Sequence, residues 1–569
     1  MFHFNPHWGG ESRMGRRHCG ETLGPFLRIL RDTPSWRTTI EISGAGLESI
    51  QSVYPEQIRL LRNLVESGQV ELISSLYTPG LWIGFPHRDL IRSVERNRQC
   101  LAKLGFPWTR IFFAQEAFFG IGVSALSDYF DIVVCKDDYL QQQISLIATS
   151  PCFTLAGMKV VIASNHLLNE LAGAIRNNPG MPEQYDLTVS HVQHLLRVRE
   201  ISDSNNFPCA YGSSGDIEYL WYHCGDGNHV TAIYKPADLQ YCYYDPVWAH
   251  FCVSQVLAYE GRGYRFTQLG EFANTLDYSV ADELPALIEG SWNPQGADGV
   301  FCWMGRNDTP WEDDAAVLTA ISRARTRLVT AERTIDRMHS PSVPNSMHER
   351  LSLGWDQLLN AQVSDTMGWN ASPQAVAYSL KASDHALLLA TQLIEEGGAH
   401  IDPPCEHLSG EVWPEGQDHL DLTDCPVPEI FGVDGHSSLT RINRSVCLCE
   451  CIFQASAGRF GIRFPFSLNE IVFCPSGLET APTRIDLNGL KTDCPTLPLA
   501  NGLIQVANEI FLIKNTSFVH VACRINRGLR VAEFAIERGR EPNGYRWQFY
   551  IVRGALEYAV KIANLVNYV

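Results

Sequence analysis

Four carboxylates stand beside short apolar runs in the first part of the chain. Glu41 occupies Ile40-Glu41-Ile42-Ser43-Gly44, and Glu71 occupies Gly68-Gln69-Val70-Glu71-Leu72. Glu116 follows Ile111-Phe112-Phe113-Ala114-Gln115 and precedes Ala117-Phe118-Phe119-Gly120. Asp216 follows Ala210-Tyr211-Gly212-Ser213-Ser214-Gly215, with Glu218 two residues later and Trp221 beyond. A carboxylate between aromatic patches is costly to bury unless it is paired or used. Taken singly, each of these acids also reads as a structural or solvated group. Taken together they form the set from which a paired-carboxylate site is built. Such a pair cleaves glycosidic bonds: one acid protonates the leaving oxygen and the other acts on the anomeric carbon.

The elements that must position these groups alternate over the first 270 residues. Strands are expected at Phe2 to Asn5, Thr38 to Ile42, Val70 to Ser74, Arg110 to Gln115, Ile132 to Cys135, Lys159 to Ala163 and Pro208 to Ser213. Helical segments lie between several of them. The clearest is Pro55 to Ser67, with Ile58, Leu61, Leu64 and Val65 at helical spacing, Pro55 near its start and Gly68 just past its end. Strand–helix alternation argues for an α/β fold with a parallel sheet, open or closed into a barrel. About seven strands favour a barrel or near-barrel, and no Gly-rich dinucleotide loop supports the open form. In a parallel barrel, functional groups stand at the C-terminal ends of the strands.

From about residue 312 to 400 the pattern turns helical. Glu312, Asp313 and Asp314 precede a run carrying Val317, Ile321, Ala324 and Leu328. A second helix is expected from Asp384 to Glu396, with a Ser/Pro-rich connection at His339 to Asn345. Pro403-Pro404 then marks a boundary. Beyond it, runs at Ile504 to Lys514, Phe518 to Ile525, Val531 to Ile536 and Tyr545 to Val552 read as an all-β, sandwich-like module. The expected division is a catalytic barrel over 1–290, a helical region over 291–400 and a β-rich domain over 401–569.

Charge and cysteine content narrow the partners. With 45 Lys and Arg against 63 Asp and Glu, the formal net charge is −18. Such a chain repels phosphate backbones, so nucleic acid is not an expected partner. No run reaches the length of a membrane span. The opening Met1-Phe2-His3-Phe4-Asn5-Pro6 lacks the basic and apolar regions of a signal peptide, so a cytoplasmic setting is expected. The 17 cysteines are odd in number and scattered, which reads as reduced, buried thiols. Alternation puts Cys447, Cys449 and Cys451 on one strand face, where they serve as small core residues. No second ligand cluster accompanies them, so no metal and no other cofactor is expected.

At the level of ordered motifs the chain resembles glycoside hydrolase family 57, whose members act mainly on α-glucans. His3-Phe4-Asn5-Pro6-His7-Trp8 is a degraded version of the family's His-x-His-Gln-Pro strand. Gly68-Gln69-Val70-Glu71 fits its Gly-Gln-x-Glu strand, although Thr78 stands where the family has a His shortly after it. Phe113-Ala114-Gln115-Glu116 fits the strand that ends in the nucleophile, and Asp216-Ile217-Glu218 fits the Asp-x-Glu that carries the acid/base. Ser364-Asp365 matches the fifth motif, with the aromatic delayed to Trp369. Glu289-Gly290-Ser291-Trp292 through Trp311 looks like the family's segment leading into the helical region. The resemblance implies a distorted (β/α)7 barrel and a helical region completing the active site. It also implies a retaining mechanism without a metal, with Glu116 as nucleophile and Asp216 as acid/base. His3, Glu71, Glu218, Trp221, Trp292 and Asp365 are the implied substrate contacts.

Two other functions use similar parts. One is a catalytically silent carbohydrate-binding protein on the same fold. The other is a metal-dependent barrel enzyme of the deacetylase or α-mannosidase kind, which needs His and Asp ligands at fixed spacing. Asp137-Asp138 is a possible start for such a set, but His191 and His194 are three apart and His3-Phe4-Asn5 stands where His-x-Asp is wanted. The expected partner is an oligosaccharide or polysaccharide, and a homo-oligomer is compatible with the sequence.

Overall fold

In a computed structural model the described residues are 2–5, 19–80, 85, 87–113, 119, 123, 126–136, 152–155, 157–163, 222–224, 242–244, 267–284, 314–338, 344–367 and 373–397, together with the strands of the C-terminal part and short stretches beside them between 429 and 562. The chain divides into two compact units: Met1–Pro79, Arg92–Ala117 and Leu126–Leu284 in the first, and Gly80–Ile91, Phe118–Ala125 and Pro285–Val569 in the second.

The first unit alternates strands and helices. In order they are β1 (Phe2–His3), α1 (Gly24–Asp32), β2 (Thr38–Glu41), α2 (Gly44–Val53), α3 (Pro55–Glu66), β3 (Val70–Ile73), α4 (His87–Leu104), β4 (Ile111–Phe112), β5 (Ile132–Lys136), β6 (Cys152–Leu155) and β7 (Met158–Ala163). The hairpin strands β8 (Tyr222–Cys224) and β9 (Cys242–Tyr244) follow, and then the short helix α5 (Leu269–Asn274). The first residues of α4 belong to the second unit. Strands β1, β2 and β3 form one parallel sheet, in that order. Strands β4, β5 and β7 form a second parallel set, with β6 antiparallel on its edge.

Side chains link these two sheets. Thr109 Oγ1 donates to Leu72 O at 2.8 Å, and the N–H of Phe113 donates to Ser75 Oγ at 2.9 Å. All four residues of β2 are buried, as expected for parallel strands covered on both faces. Helix α3 forms because Ile58, Leu61 and Leu64 recur on one buried side, with Pro55 in its first turn. The chain leaves it through Gly68 at φ 71°, a left-handed conformation that suits glycine.

The expected strands and helix of this unit are found within a few residues wherever they are described. The strand expected at Pro208 to Ser213 lies outside the described residues. Strand β6 was not expected. It has only four residues, and it turns into β7 through Gly157 at φ 83°.

Among the described residues the second unit includes the helices α6 (Asp314–Arg337), α7 (Asn345–Ala361) and α8 (Pro373–Glu396). Helix α7 begins where the sequence reading ended a connection. Helix α8 begins at Pro373 rather than Asp384, because its early buried residues include Ala375, Ser379, Ala382 and Ser383. Such small side chains give a weak periodic signal. The C-terminal strands form two antiparallel sheets. In one, Gly435–Arg441, Val446–Phe453, Tyr545–Arg553, Ile510–Lys514, Leu503–Ala507, Glu470–Cys474 and Thr483–Asp486 lie side by side in that order. The run expected at Ile504 to Lys514 is two strands of a hairpin. Among the described residues, no helix is long and apolar enough to cross a membrane.

Candidate active site

Parallel strands of α/β folds present their ligand-binding groups at their carboxyl ends. His3 is the last residue of β1 and Glu41 the last of β2, and the two are register partners. The ladder continues one step further, with Phe4 N donating to Glu41 O at 2.9 Å and Ile42 N donating to Ile73 O at 3.0 Å. Between the side chains, His3 Nδ1 and Glu41 Oε2 share a hydrogen bond. Both residues are buried, at 4% and 6% exposure. A glutamate at the end of a fully buried strand requires a partner, and the imidazole supplies one. The sequence singles out Glu41 as a carboxylate near a strand end and His3 through the family 57 motif. Nothing in the local sequence marks them as a pair.

Glu71 sits elsewhere on the same sheet. Its register partner is Thr39, two residues upstream of Glu41, so it lies toward the N-terminal ends of the strands. Its Oε2 accepts hydrogen bonds from Thr39 Oγ1 at 2.9 Å and from the backbone N–H of Gly270 at 3.0 Å. A Cβ built on Gly270 would stand 2.3 Å from Oε1, so the carboxylate packs directly on the glycine backbone. Burial pushes the Glu71 carboxyl up, against the opposing pull of these hydrogen bonds. Nearby, Arg37 Nη2 donates to Gln268 Oε1 at 3.1 Å, and Gln268 Nε2 donates to Gly68 O at 2.9 Å. Gln69 donates through Nε2 to the carbonyls of Leu30, Thr33 and Trp36. The Gly68-Gln69-Val70-Glu71 motif therefore laces β3 to the loop before β2 and to α5. The sequence reading placed Glu71 among the substrate contacts, whereas its carboxylate is engaged by Thr39 and the first turn of α5, away from His3 and Glu41.

This arrangement of parallel strands, helices and paired polar strand ends frames the comparison with known proteins. Residues 16–232 match the family model of glycosyl hydrolase family 57. The matched segment includes Glu71, Glu116 and Asp216. An α-amylase of Pyrococcus horikoshii is 26% identical over 124 residues, which is 22% of this chain and 20% of that protein. A 4-α-glucanotransferase of Thermococcus litoralis is 26% identical over 115 residues, 20% of this chain and 18% of that protein. The chain thus aligns with about a fifth of the length of these curated relatives. Among solved structures, an α-mannosidase from Enterococcus faecalis V583 superposes with a TM-score of 0.50 at 7% identity, covering 97% of this chain and 87% of that one. At that identity the likeness is one of fold alone.

Of the other residues expected from the family 57 resemblance, Glu116, Asp216, Glu218, Trp221 and Trp292 lie outside the described residues. Leading toward Glu116, Ile111, Phe112 and Phe113 are buried, and β4 is held parallel to β5. Thr78, where family 57 carries a His, is buried at 2% exposure.

Asp365 belongs to the second unit. It lies half-buried in the one-turn 3-10 helix Ser364–Thr366, between two buried neighbours. That turn follows Gln362, whose Nε2 donates to Asp89 Oδ2 at 2.9 Å. Asp89 also receives Arg325 Nε, at 3.0 and 3.1 Å from its two oxygens. This buried charged group was missed by sequence reading, because Asp89 and Arg325 are 236 residues apart.

In the C-terminal sheet Cys447, Cys449 and Cys451 are all buried, with Cys449 Sγ 3.9 Å from Cys451 Sγ. The Cys451 contact and burial push the Cys449 thiol strongly up, which keeps it protonated. Among the described residues, no group of three or more His, Cys, Asp or Glu side chains is arranged to hold a metal ion.

Proposed function

We propose that this chain is a retaining α-glycoside hydrolase or transglycosylase that acts on an α-glucan or a related α-linked oligosaccharide by double displacement. The observation that carries this reading is the family 57 match over residues 16–232; within that span lie Glu116 and Asp216, which the sequence motifs assign as nucleophile and acid/base. The curated relatives include an α-amylase and a 4-α-glucanotransferase, enzymes of the proposed class. On this reading the two parallel sheets of the first unit are arcs of one distorted (β/α)7 barrel, and the two C-terminal sheets stack as a sandwich. The barrel, helical and β-rich parts follow the 1–290, 291–400 and 401–569 division, in a cytoplasmic protein.

The proposed reaction uses two carboxyl groups in opposite states. Glu116, ionised, attacks the anomeric carbon, and the bond to the leaving oxygen breaks as Asp216 donates its proton to that oxygen. The glycosyl group is then esterified to Glu116. Asp216, now ionised, removes a proton from water or from an acceptor sugar hydroxyl, which attacks the same carbon and releases Glu116. The two attacks invert twice, so the anomeric configuration is retained. His3, held at the carboxyl end of β1, is a contact for the bound sugar.

The test is a product screen of the purified chain against starch-type glucans, α-glucosides and α-galactosides, with Glu116→Gln alongside. The reading predicts turnover of at least one α-linked substrate and a loss on the order of 10³-fold or more in the folded variant. A folded Glu116→Gln variant with normal turnover contradicts it.

A further inference from the structure

We propose that Glu41 is a positioning residue of this site. It fixes the ring of His3 at the carboxyl end of β1 and acts on the bound sugar only through that ring. The inference rests on the functional reading above, because it concerns how His3 is held as a sugar contact.

His3 and Glu41 close adjacent parallel strands as register partners, so backbone hydrogen bonding already sets their Cα atoms side by side. A histidine side chain on a fixed backbone still has two rotatable bonds and two neutral tautomers. The bond from Nδ1 to Glu41 Oε2 removes both freedoms. It holds the ring plane, and it requires the proton on Nδ1, because an ionised carboxylate only accepts. Nε2, on the far side of the ring, is thereby aimed away from Glu41 in a defined direction.

A hydrophobic residue at position 41 would bury as well and would avoid the cost of desolvating a carboxylate, so packing alone does not call for glutamate here. The neighbouring acid on the sheet, Glu71, shows the contrast. It spends its hydrogen bonds on Thr39 and a helix backbone. Glu41 instead meets an imidazole at the strand end where ligands bind. A catalytic site needs its contacts held closely, since a misplacement of about 1 Å costs on the order of 100-fold in rate.

The experiment is a double-mutant cycle with maltoheptaose as the probe substrate. Glu41→Gln and Glu41→Asp are made in the wild-type chain and in His3→Gln, and kcat, KM and the thermal midpoint are measured for each. Glu41→Gln should lower kcat/KM by on the order of 100-fold in the wild-type background. In the His3→Gln background the same change should cost less than about threefold, because its intermediary is already gone. Equal losses in both backgrounds, or none in either, overturn the proposal.

The ¹⁵N spectrum of the His3 ring supplies a second readout that does not depend on activity. The wild type should carry its proton on Nδ1, with Glu41→Asp keeping this signature and Glu41→Leu, which offers no acceptor, losing it. An Nε2-protonated ring, or a spectrum indifferent to Glu41→Leu, overturns the proposal even if the variants are too unstable for kinetics. Lack of any turnover by the wild type counts against the functional reading, and the ring spectrum still decides the part played by Glu41.

Discussion

Glu71 accepts a hydrogen bond from the backbone N–H of Gly270, 199 residues further along the chain. The contact fastens α5, which follows β9, against the second and third strands of the first sheet. It also explains why both residues are what they are. The carboxylate satisfies an N–H at the start of a helix, and glycine lets it approach.

This tie has a pH signature. Burial raises the folded-state pKa of Glu71 above its value in the unfolded chain. The folded protein therefore takes up a proton at Glu71 more readily than the unfolded chain does. The resulting stabilisation is fully present below the unfolded carboxylate range and is lost as pH rises through the folded pKa. Glu71→Gln lacks this dependence. In urea unfolding, the wild type should gain stability relative to Glu71→Gln as pH falls from 8 to about 5. A constant difference, or one of opposite sign, contradicts the assignment. Gly270→Ala should cost about 1–3 kcal/mol by overpacking.

The buried pair Asp89–Arg325 gives a prediction within the second unit. Asp89→Asn removes the buried carboxylate that receives Arg325 Nε, and the loss should be about 3–5 kcal/mol. Replacing both partners, Asp89→Leu with Arg325→Met, should cost less than Asp89→Asn alone. Denaturant midpoints of the three variants measure this, and a double variant weaker than the single one would argue that the pair adds net stability.

Metal removal separates the two-carboxylate chemistry from the metal-dependent alternative. The proposed mechanism needs no Lewis acid, because protonation of the leaving oxygen already assists departure. Dialysis against a strong chelator should leave turnover of the best substrate unchanged. Activity that vanishes and returns with zinc or another divalent ion would favour the metal-dependent reading.

The strands legible in the sequence are those with dense apolar content: β2, β3, β5 and β7 are buried runs bounded by polar or turn residues. Helix α3 was legible for its period and its Pro and Gly ends. Strand β6 escaped because four residues carry too little pattern. Long-range pairing was the larger gap. The ends of β1 and β2 could be read, yet the bond between His3 and Glu41 depends on strand order, which no local pattern encodes. The hydrogen bond of Glu71 to α5 is illegible for the same reason, since its partner Gly270 is remote in sequence. Glu116 and Asp216 are assigned by motif alone, and both lie outside the described residues.

The central claim is that Glu116 becomes covalently glycosylated during turnover. The direct measurement is peptide mass spectrometry of the chain after brief incubation with a 5-fluoro-α-glucosyl fluoride, whose second displacement is slowed. The account predicts one added fluoroglucosyl group on the peptide containing Glu116, and none in Glu116→Gln. Labelling of a different carboxylate, or an unlabelled protein that turns the reagent over with inversion, would contradict it.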